Sequence, residues 1–156
     1  MRGEERRPRG DVVAPRTAGY SGTPLARKLG LAEGQAAALL GIPETIGEIN
    51  GFDGFASVVH TLPETPQPAF DYMHLFTIER AALEAIAPAL FLVLRPDGMV
   101  WISWPKKSSR VSTDITEDVL REVLLPTGLV DVKVCAVDEV WSGLKFVIRK
   151  ELRGSL

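Results

Sequence analysis

The chain has 156 residues, the length of one domain, with 46% apolar and 24% charged residues. That is enough to bury a core without disulfides or metals, and a formal net charge of −2 supplies no global attraction for nucleic acid or an anionic membrane. Cys135 is the one cysteine, which excludes an intramolecular disulfide and makes a reducing, cytoplasmic setting the simpler expectation.

Residues 1–18 hold five arginines, three acids and two prolines and read as a disordered basic tail. A weak polyanion-touching arm is the alternative. No apolar stretch follows those arginines as in a signal peptide, and no apolar run approaches the roughly 20 residues that cross a bilayer. The domain is expected over 19–150, with 151–156 a short C-terminal tail.

Thr23, Pro24 and Gly30 suit an N-cap, a first helical position and a stop, so a short helix is expected over Pro24–Leu29. Gln35–Ile42 reads as a first buried strand, Pro43–Asn50 as one or two helical turns, and Phe55–His60 as a second strand. A proline-broken loop leads to Phe70–Ile78, a strand apolar on both faces, as a central parallel strand is. Glu79–Leu94 is the best helix, with Leu83, Ile86, Leu90 and Val93 on one face and Pro88 implying a kink or an earlier end. Arg95–Gly98 reads as a turn and Met99–Trp104 as the fourth strand. Asp114 and Glu117 have capping-box spacing, so a helix is expected from Ile115 to about Leu125, stopped by Pro126 and Gly128. Two strands joined by the short Asp138–Gly143 segment close the chain as a hairpin.

Strands alternating with helices imply crossover connections and a mostly parallel sheet. The expected fold class is therefore α/β: a three-layer, Rossmann-like sheet of about six strands with a C-terminal antiparallel hairpin. The order of elements, with "FDYMHLF" and "LRPDGMVWISW" at two characteristic positions, resembles the class I methyltransferase fold over residues 35–149. That resemblance implies a Gly-x-Gly loop after the first strand and an acidic residue ending the second, to receive S-adenosylmethionine. This chain has "LLGIPETIGEI", with Gly41 alone and Pro43 in the loop, and His60 where the acid would stand. From Leu40 to Phe70 there are about 30 residues, where such enzymes thread two strands and two helices; each crossover needs about a dozen. A second set of segments, "GYSGTPLARKLGL", "GMVWISWPKKSS", "DITEDVLREV" and "GLVDVKVCAVDEVWSGLKFVIRK", is similar to an uncharacterised bacterial family, domain of unknown function 3052. That similarity implies a small intracellular protein and brings no catalytic residue.

Ligands of open parallel sheets bind beyond the carboxyl ends of the strands. The expected rim gathers His60, Thr77, Lys106, Lys107, Ser108, Ser109, Asp138, Glu139 and Trp141, with Trp104 as a possible stacking surface. "PKKSS" could hold a phosphate or carboxylate between two ammonium groups, two hydroxyls and a following helix N-terminus. A solvated loop with rim salt bridges is the competing reading, since Asp114, Glu117 and Asp118 put negative charge at that helix start. His74, mid-strand among Phe70, Tyr72 and Phe76, reads as a structural, hydrogen-bonded histidine, and Cys135 as packing. Two histidines and one cysteine, far apart, give no metal spacing.

The expected function is thus a non-catalytic module for a small anionic ligand or a protein partner, with no cofactor. The alternative is a small S-adenosylmethionine-dependent transferase with an atypical pocket. Nucleic acid and membrane partners are not expected. A homodimer is possible through the last strand, where Leu144, Phe146 and Ile148 alternate on one face.

Overall fold

A computed structural model describes residues 23–154; the expected N-terminal tail lies outside the described residues. The chain runs α1 (Leu25–Leu29), β1 (Ala36–Leu40), α2 (Gly47–Asn50), β2 (Ser57–Val59), β3 (Phe70–Phe76), α3 (Arg80–Val93) and β4 (Leu94–Pro105), then α4 (Glu117–Leu124), β5 (Leu129–Ala136), β6 (Trp141–Ile148) and α5 (Lys150–Arg153). The sheet order is β2-β1-β3-β4-β6-β5. The first four strands are parallel, and β6 is antiparallel to both β4 and β5. β5 therefore points the same way as β4, and the β5–β6 turn returns to the carboxyl end of β4.

Helices cover both faces because the central strands bury both sets of alternating side chains. On one face α3 and α4 place Leu83, Leu90, Leu120 and Leu124 against Met73, Val100, Ile102 and Phe146. On the other, Leu29, Ile46 and Ile49 from α1 and α2 pack on Tyr72, Phe76 and Trp101. The two layers between β1 and β3 are reduced: only a three-residue β2, exposed throughout, and a four-residue α2 remain.

Several local expectations are corrected. Pro24 is the N-cap of α1, with ψ of 145°, so Thr23 lies outside the helix. Pro88 does not end α3, which continues to Val93 because Leu83, Ala87, Leu90 and Val93 bury one stripe of it. Arg95–Gly98 is not a free turn. β4 begins at Leu94 and bulges, its register jumping from Phe70↔Leu94 to Tyr72↔Met99. Gly98 is needed there, because a Cβ would lie 2.9 Å from the Phe70 carbonyl oxygen. The expected capping box is displaced: Thr116 caps α4, its Oγ1 accepting from the Val119 N–H at 3.2 Å. Asp114 instead accepts the Arg80 N–H at 2.7 Å, capping α3 from a distant segment. Lys150–Arg153 form the short helix α5. β6 is an interior strand, and Leu144, Phe146 and Ile148 are buried against the helices, so they cannot form the exposed edge expected of them. That edge is β5, with Val132 and Val134 exposed.

Candidate functional site

The carboxyl ends of β1 to β4 and the β5–β6 turn share one edge of the sheet. Pro105 pairs with Trp141, and the Lys106 N–H donates to the Val140 carbonyl at 2.7 Å. Lys106, Lys107 and Trp141 thus emerge together. His60 emerges from β2, three strands away. Neighbouring strands lie about 4.8 Å apart, so the edge is about 24 Å wide from β2 to β5. It is one edge but not one pocket.

A cavity of about 490 Å³ opens at the β1–β2 end, lined by Leu40, Gly41, His60, Thr61, Leu62, Leu75, Ala85, Ile86 and Ala89. This is within the size of small-molecule sites. Its floor is the paired residues Leu40 and Leu75 at the ends of β1 and β3, and its wall is a turn and a half of α3. It exists because the β2–β3 connection carries Leu62 across this face where a helix is missing. Gly41 leaves β1 with φ of 72°, and a Cβ there would stand 3.1 Å from the Phe76 carbonyl oxygen. Only glycine makes that turn without strain. The β1–β2 ladder ends at Ala38↔Val59, and the His60 ring takes the next position, its Nδ1 3.2 Å from the Leu39 carbonyl oxygen.

His60 is the one expected rim residue that lines this cavity. The others lie outside it. The Ser109 hydroxyl donates to the Lys106 carbonyl at 2.6 Å and accepts the Val111 N–H at 3.2 Å, closing a single 3₁₀ turn over Lys107–Ser109. Lys107 and Ser108 are exposed on that turn, and the next helix starts only at Glu117, so no helix N-terminus faces them. Asp138 accepts the N–H groups of Val140 and Trp141, each at 2.8 Å, shaping the hairpin turn that leaves Glu139 exposed. Thr77 donates its N–H to the Ser103 carbonyl, and its hydroxyl lies 3.4 Å from the Glu79 N–H. Trp104 belongs to the core on the α3–α4 face and offers no stacking surface. Trp141 is half-buried, edge-on to Phe76 at 5.0 Å.

A polar relay that the sequence reading did not foresee in full lies inside the sheet. Tyr72 Oη is 2.9 Å from His74 Nδ1, and His74 Nε2 is 2.7 Å from Ser103 Oγ. A neutral ring donates from one nitrogen and accepts at the other, and either hydroxyl can answer. Burial pushes His74 down to about 3, and pushes Tyr72 well up with a smaller contribution from Cys135. Serine beside histidine is the geometry of an activated nucleophile, but all three residues are fully enclosed, so no substrate reaches them. The relay pins β3 to β4. Its signal was the polar Ser103 on the inward face of "VWISW". Among the described residues no group of three or more His, Cys, Asp or Glu could hold a metal ion, and no helix is long and apolar enough to cross a membrane.

No family model matches the chain, and no curated protein does. Solved structures do. It is similar to a SAM-dependent methyltransferase from Aquifex aeolicus at 14% identity, covering 80% of this chain and 87% of that one, with a TM-score of 0.57. A TehB-like SAM-dependent methyltransferase from Corynebacterium glutamicum shares 14% identity over 80% of this chain and 85% of that one, with a TM-score of 0.54. LepI in complex with SAM matches at 12% identity and a TM-score of 0.53; the match covers 89% of this chain and half of LepI. The fold is therefore that of the class I methyltransferases.

Proposed function

We propose that the chain is a small transferase of the S-adenosylmethionine-dependent type, with its ligand in the cavity at the carboxyl ends of β1 and β2. The observation that carries this reading is the cavity's place, beside a glycine held at positive φ and a polar side chain ending β2. Gly41, His60 and Thr61 are the residues that would hold the nucleoside half of that cofactor. The cofactor would supply an electrophilic methyl group; the protein would supply an apolar surface for its nucleoside half to lie against. The quoted sequence segments support kinship with domain of unknown function 3052, within which this would be the activity to test.

A second reading, a non-catalytic binding module on the same fold, is favoured by one specific observation. No charged side chain lines the cavity, so the methionyl end of the cofactor finds no partner there. Calorimetric titration of the full chain with S-adenosylmethionine and S-adenosylhomocysteine tests the binding that the first reading needs. Micromolar binding of either is expected, and the absence of binding by both up to about 1 mM would contradict the reading.

A further inference from the structure

The lining of the cavity decides which part of a ligand it can hold. Leu40, Leu62, Leu75 and Ile86 give it apolar walls, with Ala85 and Ala89 widening the α3 side. A charge entering such a space is costly unless it meets an opposite charge, and no Asp, Glu, Lys or Arg is among the residues that line it. Glu84, the residue before Ala85, is engaged by Arg80 at 2.8 Å. Lys106 leaves the sheet from β4, three strand spacings or about 14 Å from β2.

The polar groups of the lining are the Thr61 hydroxyl and the His60 ring. The Leu39 carbonyl oxygen can only accept a hydrogen bond, so the Nδ1 facing it carries the hydrogen. When the ring is uncharged, its Nε2 is a lone-pair acceptor with no partner of its own among the described residues. A ligand that fits is therefore uncharged where it lies against the apolar walls and offers an O–H or N–H to that nitrogen.

We propose that the cavity selects a neutral, flat or apolar molecule with one hydrogen-bond donor aimed at His60. Within the reading of the previous subsection, on which this rests, the part held is a thioadenosine body, the amino-acid charges contribute nothing to affinity, and the sulfonium charge beside apolar walls weakens it. The protein then binds 5′-methylthioadenosine, which lacks both charges, as well as it binds S-adenosylhomocysteine.

Titration of the full chain with 5′-methylthioadenosine, S-adenosylhomocysteine and S-adenosylmethionine tests this directly. Expected are dissociation constants within about threefold for the first two and weaker binding of the sulfonium compound. His60→Ala, a change at an exposed position whose folding is checked by thermal melting, is expected to weaken 5′-methylthioadenosine by about fivefold or more. If either charged compound binds more than about tenfold tighter than 5′-methylthioadenosine, or His60→Ala changes nothing, this selection is wrong while the nucleoside reading stands. If no nucleoside binds, that reading fails, and 2-naphthol, neutral and flat with one hydroxyl, decides the selection alone. Its binding, lost in His60→Ala, supports the selection, and its failure to bind overturns it.

Discussion

The two halves of the carboxyl edge differ in a way that their residue types conceal. The β4–β6 half carries the lysines, serines, an aspartate, a glutamate and a tryptophan, and two of its polar side chains shape the backbone there: Ser109 closes its own turn and Asp138 organises the hairpin. The β1–β2 half is poor in such residues and holds the cavity, since a reduced layer there leaves space beside Leu40, Leu75 and the Ile86 side of α3. Chemistry-bearing side chains mark a site only where the backbone leaves space beside them. In a short α/β chain, the space follows from what is missing.

The comparison breaks most sharply if filling the cavity does nothing. Ala89→Trp is expected to weaken S-adenosylhomocysteine by about 100-fold or more, because an indole occupies the space. The variant should keep the wild-type circular dichroism spectrum.

The interior between the halves gives the next effect. His74 stays neutral in the fold until about pH 3, whereas a histidine in the unfolded chain takes a proton near 6.5. Below 6.5 the unfolded state therefore gains protons that the folded state refuses. The stability is fully present above that pH and falls by about 1.4 kcal/mol per unit on acidification. Urea unfolding at pH 6.5 and pH 5 should show a loss of about 2 kcal/mol that is absent from His74→Gln. Equal losses in both proteins would mean that other groups carry the acid sensitivity.

Two smaller effects sharpen the contrast. Asp138→Ala removes the acceptor of two N–H groups and is expected to cost about 1–2 kcal/mol in denaturant unfolding, with ligand affinity unchanged. The double change Lys106→Ala and Lys107→Ala should alter S-adenosylhomocysteine binding by less than about twofold and stability by no more than about 0.5 kcal/mol. A large loss of affinity from the lysine pair would move the site to the other half.

The alternation of strands and helices was legible in the sequence because periodicity and punctuation are local properties. The deficit between Leu40 and Phe70 was legible as well, since two strands and two helices do not fit in that length; it holds one three-residue strand and one four-residue helix. Three of the errors share a cause: a residue with a clear local meaning was used by a distant segment. Asp114 looked like a cap for its own helix and caps α3 instead. Arg95–Gly98 has turn residues but follows β3 as a bulge. The last strand looked like an edge and inserts between β4 and β5. Of the site, His60 and the solitary Gly41 could be read in advance. Leu62, Leu75, Ile86 and Ala89 could not, because an apolar residue beside a cavity has the same sequence signature as one in the core.

The central claim is a location, and a ¹⁵N-labelled sample titrated with S-adenosylhomocysteine reads location directly. Amide shifts concentrated at Gly41, His60, Thr61, Leu62, Leu75 and Ile86, with Lys106–Ser109 and Trp141 unmoved, are the expected result. Shifts that cluster at the lysine turn and the hairpin, leaving Gly41 and His60 still, would contradict it.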